Sequence, residues 1–211
     1  MITVEDLVFG YRRDETILDV VSHRFEEGSV TAVTGASGRG KSTLLYLIGL
    51  LLTPWSGTIS FDGENVGARA DRRRSEFRAA RIGFVFQDAA LDPARTVLDN
   101  IIEVSNYTRI RRRDAVEQAE ELMQRFDVGL RADYKPGEVS GGQAQRIALC
   151  RALLASPDVI LADEPTGNLD ARTADVVIDA LAGLAHDEDK TVIIATHDAT
   201  VMAACDARWA L

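Results

Sequence analysis

The chain has little of what a secreted, membrane-spanning or nucleic-acid-coating protein needs. It carries two cysteines, Cys150 and Cys205, at no Cys-x-x-Cys or metal-ligand spacing, and Cys150 falls inside a helical apolar pattern. Both read as small buried apolar residues of a reduced cytosolic protein. Long hydrophobic runs are missing: the most apolar stretch, Leu44 to Leu52, is far short of the roughly 20 residues that a membrane span requires. The N-terminus, MITVEDLVFG, lacks the basic start and apolar centre of a secretion signal. Work at a membrane would therefore require spans from another chain. Positive charge is also in deficit, with 24 Lys and Arg against 33 Asp and Glu and a net charge of −9. That balance argues against sequence-independent binding to nucleic acid or anionic lipid, so any anionic ligand must be held locally.

What is present fits one α/β unit. The 211 residues are 46% hydrophobic, enough to bury a core as one large domain or as a core with a small subdomain. ITVEDLVF, SVTAVTG and GTISFDG read as strands in the first third. From Ala68 to about Tyr134 the chain turns charged and helix-periodic, and most of this stretch reads as a helical insertion. The triplets Arg72–Arg74 and Arg111–Arg113 read as solvated helix faces, with a docking surface as the alternative. DVILAD and KTVIIATH then read as buried parallel strands, separated by the amphipathic ARTADVVIDALAGLAH. There are no repeats, low-complexity tracts or proline-rich linkers, so no boundary between independent domains is drawn.

The chemistry concentrates in a few motifs. GASGRGKST, Gly35 to Thr43, fits G-x-x-x-x-G-K-[ST] and lies between a buried strand and a helix. In that context Gly35, Ser37, Gly38, Gly40 and Thr43 shape a backbone cradle for phosphate, Lys41 reaches the β and γ phosphates, and the Ser42 hydroxyl suits Mg²⁺. VILADEP ends an apolar strand in two carboxylates: Asp163 suits the magnesium's outer shell, and Glu164 a general base or water-orienting group. His197 falls at the end of the adjacent predicted strand, where it can donate to the γ phosphate. Gln87 closes a short apolar strand and can touch Mg²⁺ or the attacking water. Tyr11 offers a ring for stacking on adenine.

A second cradle is surplus to this set. Ser140-Gly141-Gly142 directly precedes another apolar-periodic helix, a second way of offering backbone N–H groups to an anion. One hydrolytic set needs one nucleotide, so the second turn has a use only if it serves a nucleotide bound to another copy.

Tyr11, GASGRGKST, Gln87, VSGGQ, VILADEP, GNLD and THD stand in the order and approximate spacing of the ATP-binding subunits of ABC transporters, and the resemblance covers essentially the whole chain. It implies a fold of the α/β class: a P-loop core with a mostly parallel sheet, an N-terminal antiparallel β region and an inserted helical subdomain. Residues 1–211 would form one domain, with the core at about 1–87 and 157–211 and the helical subdomain at about 88–156. The resemblance further implies a head-to-tail dimer, homodimer or paired with a paralogue, in which Ser140, Gly141, Gly142 and Gln143 complete the partner's ATP site. Asn168, Leu169 and Asp170 would line the dimer contact. Ser42, Gln87 and Asp163 would serve Mg²⁺, Glu164, His197 and Gln87 would serve hydrolysis, and a separate integral membrane permease would be the partner at the cytoplasmic face of the cell membrane.

RIGFVFQ, GLLLTPWSGTISFDG and DEPTGNLD resemble the macrolide-exporter and lipoprotein-releasing subgroup, with the regulatory ATPase of cell division close by. A soluble ABC-type ATPase of DNA repair or translation is disfavoured, because neither long coiled coils nor tandem ATPase units are present. Two residues depart from the family pattern: Arg39 where a small Ser is usual, and Val139 in place of Leu. The chain ends at CDARWAL, so no further strands and no regulatory tail are expected after His197.

Overall fold

A computed structural model describes residues 1–211. Strand β1, Ile2–Phe9, pairs antiparallel with β2, Leu18–Phe25, while β3, Val30–Thr34, leaves this sheet for another. Helix α1, Lys41–Ile48, follows, and β4, Ser56–Phe61, and β5, Glu64–Asn65, complete an antiparallel sheet of order β2-β1-β4-β5. In β1 the inward residues are Ile2, Val4, Leu7 and Phe9, a period of two interrupted between Val4 and Leu7. The register shifts there, with Asp6 at φ 49°, so the bulge returns Leu7 to the core face.

Helix α2, Asp71–Arg81, leads into β6, Ile82–Val85. Helices α3, Val97–Ile102, α4, Arg112–Arg125, and α5, Gly141–Leu153, then pack on one another. Strand β7, Val159–Asp163, helix α6, Ala171–Glu188, strand β8, Thr191–Ala195, helix α7, Ala199–Ala204, and strand β9, Ala207–Ala210, finish the chain. The second sheet is parallel, in the order β6-β7-β8-β3-β9.

All five residues of β7 and of β8 are buried, and their pleat divides them between two cores. Val159, Leu161, Ile193 and Ala195 join α1 and the antiparallel sheet in one cluster. Ile160, Ala162, Val192 and Ile194 face α3, α4, α5 and α6 in the other. Helix α4 sends only Ala115, Ala119 and Met123 inward, the i, i+4, i+8 stripe of an amphipathic helix.

Three placements sharpen or correct the reading of the sequence. Strand β2 has a mixed burial pattern that hides its strand character. Helix α2, charged like the stretch read as the insertion yet inside the 1–87 bounds of the core, packs on the α/β part, with the ring of Phe77 4.9 Å from that of Phe61. The expectation of no strand after His197 is corrected by β9, which pairs with β3 from Thr31–Ala207 to Thr34–Ala210. It is a short edge strand, mostly exposed, and so carries no alternating apolar signal; Trp209 anchors it by stacking on His23 at 4.2 Å.

Candidate functional site

The carboxyl ends of β3, β7 and β8 are neighbours, so the loops that leave them meet at one edge of the parallel sheet, where open α/β folds hold ligands. Gly35–Gly40 curl from β3 into α1. Gly40 sits at φ +92°, and a Cβ there would lie 2.7 Å from Cγ2 of Ile17, so only glycine fits this turn. Lys41 is nearly buried, and its ammonium donates to the carbonyls of Gly35 at 3.0 Å and Ala36 at 3.3 Å. Ser37, Gly38 and Arg39 are exposed along the rim. A cleft of about 610 Å³ opens over this loop, and Tyr11, Ser42, Thr43, Gln87, Glu164 and His197 line it with the loop itself. Tyr11 is exposed, its hydroxyl 3.4 Å from Oγ1 of Thr43 and its ring held edge-on by Phe9 at 5.3 Å.

Asp163 is buried at the end of β7. Ser42 Oγ donates to its Oδ1 at 2.9 Å, and Tyr46 donates to its Oδ2 at 3.3 Å. Burial pushes the carboxyl above its ordinary range, although both hydroxyls pull it down. Burial also raises the Tyr46 phenol, and the negative charge of Asp163 adds to that rise. The partners of Asp163 are hydroxyls, so its charge is hydrogen-bonded but not neutralised, a setting that a hard cation would relieve. Ser42 and Asp163 are joined by a hydrogen bond and the Gln87 amide lines the same cleft as Ser42, oxygen donors of the kind that suit Mg²⁺. No cluster of three or more His, Cys, Asp or Glu residues exists to enclose a metal, so an ion held here would need phosphate oxygens and water to complete its shell.

Glu164 sits at φ 45°, an uncommon conformation for a non-glycine residue. Its Oε1 lies 2.6 Å from Nδ1 of His197, and its Oε2 accepts from Oγ1 of Thr196 at 3.2 Å. A carboxylate only accepts, so this contact assigns the proton to Nδ1 and leaves Nε2 of the exposed His197 ring available toward the cleft. Thr196 is fully buried, and its hydroxyl also accepts the N–H of Asp198 at 3.0 Å, which orients its proton toward Glu164.

The loop after β6 ties this cleft to the helices. Gln145 of α5 donates to the carbonyl of Phe86 at 3.1 Å, and Arg151 donates to those of Ala89 and Ala90, each at 2.7 Å. Those two alanines sit at φ 29° and 48°, so Arg151 clasps a strained turn directly after Gln87. Asn168 reaches the same loop through Asp88 at 3.0 Å.

Ser140, Gly141, Gly142 and Gln143 lie apart from the cleft. The Ser140 hydroxyl accepts from the Gln143 N–H at 3.3 Å, and the Gln143 side chain accepts from the Ser140 N–H at 2.9 Å, a reciprocal cap on α5. A Cβ on Gly142 would lie 2.5 Å from Cγ2 of Thr173, so glycine permits the close approach of α6. Leu169 stands in the turn before α6, and Asp170 caps that helix through the N–H of Thr173 at 3.0 Å. The cleft thus gathers Tyr11, the Gly35–Thr43 loop, Gln87, Glu164 and His197, with Asp163 directly behind Ser42. It does not gather Ser140–Gln143, Asn168, Leu169 or Asp170.

Sequence reasoning missed Tyr46, Thr196, Gln145 and Arg151. Tyr46 carried a signal, since it lies one helical turn beyond Ser42 on the same face. Thr196 adjoins His197 in THD. Nothing local marks Gln145 or Arg151, whose partners are distant in the chain.

A glycine-rich cradle at a helix N-terminus, backed by a buried Asp163 and a partly exposed Glu164 at the end of a parallel strand, defines a P-loop nucleoside triphosphatase. Residues 18–167 match the ABC transporter family, and the chain belongs to it. It is similar to the lipoprotein-releasing system ATP-binding protein LolD of Geobacter metallireducens, 42% identical over 201 residues covering 94% of this chain and 89% of that one. It is also 42% identical over 213 residues to LolD 1 of Caulobacter vibrioides, covering 97% and 88%. Among solved structures it superposes on the dimeric post-hydrolysis state of the ATP-binding cassette MJ0796 bound to ADP and Pi with a TM-score of 0.88, at 32% identity over 100% of this chain and 94% of that one. The chain is accordingly an ABC ATPase, binding and hydrolysing ATP with Mg²⁺ as partner ion.

Proposed function

We propose that this chain is the ATPase subunit of a lipoprotein-releasing type of complex, in which ATP-driven dimerisation and hydrolysis move a separate membrane protein. The observation that carries the reading is that the chain presents its second anion cradle, Ser140–Gln143, outside its own cleft. In a head-to-tail dimer this turn would close over the nucleotide held by the other copy, and each isologous pair would make two equivalent sites. Asn168, Leu169 and Asp170 would lie between those sites.

Within one site, Tyr11 stacks on the adenine, the backbone of Gly35–Thr43 binds the phosphates, and Lys41 exchanges its two carbonyl contacts for β and γ oxygens. Ser42, Gln87 and Asp163 would hold Mg²⁺, whose charge would offset that of the phosphates. Glu164 accepts a proton from, or orients, the attacking water, and His197, when both of its ring nitrogens carry a proton, donates from Nε2 toward the γ phosphate. Closing the dimer excludes water and strengthens each of these contacts.

No helix of the chain is long and apolar enough to cross a membrane, so the spans belong to the partner. A groove of about 560 Å³ between α2, β6 and α5, with Phe84, Phe86, Tyr107, Arg78 and Arg151 on its walls, suits a partner's docking segment. Arg151 holds the Gln87 loop from this groove, so an occupant would feel the state of the cleft. The curated relatives at 42% identity favour a lipid-anchored cargo, carried by the membrane subunit.

The test is to trap tagged Glu164→Gln with Mg-ATP in its native cells, solubilise in mild detergent and identify what co-purifies. A polytopic membrane protein with a lipoprotein-binding extracytoplasmic part is expected. Recovery of the ATPase with soluble proteins alone would overturn the membrane reading, and a cell-wall-remodelling assembly would move it to a regulatory ATPase.

A further inference from the structure

We propose that Tyr46 is a positioning residue for the Mg²⁺ carboxylate, its hydroxyl fixing the rotation of Asp163 so that Oδ1 stays with Ser42 and the metal shell. The proposal rests on the assignment of Asp163 to Mg²⁺ above.

The two oxygens of Asp163 have separate tethers on one helix. Ser42 holds Oδ1 at 2.9 Å, and Tyr46, a turn further along α1, holds Oδ2 at 3.3 Å. With Ser42 alone the carboxylate is free to turn about its terminal torsion, which is broad for Asp. With both tethers in place the carboxylate plane is set before any metal arrives. The phenol suits this task because, at neutral pH, it donates its proton and leaves the carboxylate as acceptor. Its own placement is also fixed: the Tyr46 ring packs against Phe84 at 5.6 Å, and Phe84 stacks on Phe86 at 4.3 Å. Asp163 is itself buried, so water is poorly placed to replace the lost donor. Partners that orient a metal's ligands from behind cost metal affinity when removed.

The experiment is equilibrium binding of a fluorescent ATP analogue to the whole chain and to Tyr46→Phe, titrated with Mg²⁺ and repeated in EDTA, with melting temperatures of both proteins. Tyr46→Phe keeps the ring and removes only the donor. The expected result is a Mg²⁺ midpoint raised about tenfold, with affinity in EDTA and melting temperature unchanged. An unchanged midpoint overturns the proposal. Equal weakening with and without Mg²⁺ also overturns it, by marking Tyr46 as a packing residue. If nucleotide binding to the unsubstituted chain is indifferent to Mg²⁺, the assignment of Asp163 to the metal fails first, and the proposal falls with it.

Discussion

The Gly35–Thr43 loop and the Ser140–Gln143 turn are built alike, each a glycine-rich turn feeding a helix N-terminus, yet the fold treats them in opposite ways. The first sits where three strands end together, so Asp163, Glu164 and His197 arrive beside it and a cleft forms. The second caps its own helix, and the cleft that Gln143 borders at the end of α4 holds neither Asp163, Glu164 nor His197. An anion site therefore depends less on the local turn than on what the sheet brings to it. The second turn retains free backbone donors for a ligand supplied from outside the chain.

The largest effect on this contrast is expected from Lys41→Ala, which strips the first cradle of its buried cation. ATP affinity should fall about tenfold to a hundredfold, the range for a lost charge-assisted bond. Titration of ATP binding checks this, and an unchanged affinity would remove Lys41 from the cradle.

Next is the preassembly of the catalytic carboxylate. Thr196→Val removes the donor to Glu164 Oε2 while keeping the shape, so kcat should fall about tenfold with KM for ATP unchanged. Thr196→Ser should restore the rate. A raised KM with unaltered kcat would show that Thr196 serves binding instead.

A smaller but more discriminating effect comes from mixing. Lys41→Ala breaks the first cradle and Ser140→Arg obstructs the second, and each homodimer should be inactive. If the turns work across copies, an equal mixture regains about a quarter of the normal ATPase rate, since half the dimers then carry one intact site. No recovery would mean that both cradles serve one chain.

The smallest change is expected at the helix behind the second turn. Cys150 on α5 is buried, which pushes its thiol up to about 12, and burial raises Cys205 to about 11. Raised values leave little thiolate at neutral pH. Iodoacetamide at pH near 7 should label neither in the folded chain and both after denaturation. Fast labelling of Cys150 would show that α5 is loosely packed and that the turn moves with it.

Much of the site was legible because its chemistry is written locally. The spacing of Gly35, Gly40, Lys41 and Ser42, and the apolar run into Asp163 and Glu164, state their roles within a few residues. Strand β9 was not legible, because an exposed edge strand needs no apolar period. The clasp of Arg151 on the Gln87 loop was equally hidden, because its partners are carbonyls that any residue offers. Tyr46 and Thr196 lay in plain view beside recognised motifs, but only the hydrogen bonds reveal which carboxylate each one holds.

By itself the sequence determined the class of chemistry and the order of parts, since short-range spacing and hydrophobic period act through neighbouring bonds. The tertiary structure alone decided which parts meet. Parallel pairing set β3, β7 and β8 side by side and so brought Gly35, Glu164 and His197 to one edge. The same packing carried Ser140–Gln143 away on the helical side, because burying α5 in the core it shares with α3, α4 and α6 fixes where its N-terminus can point.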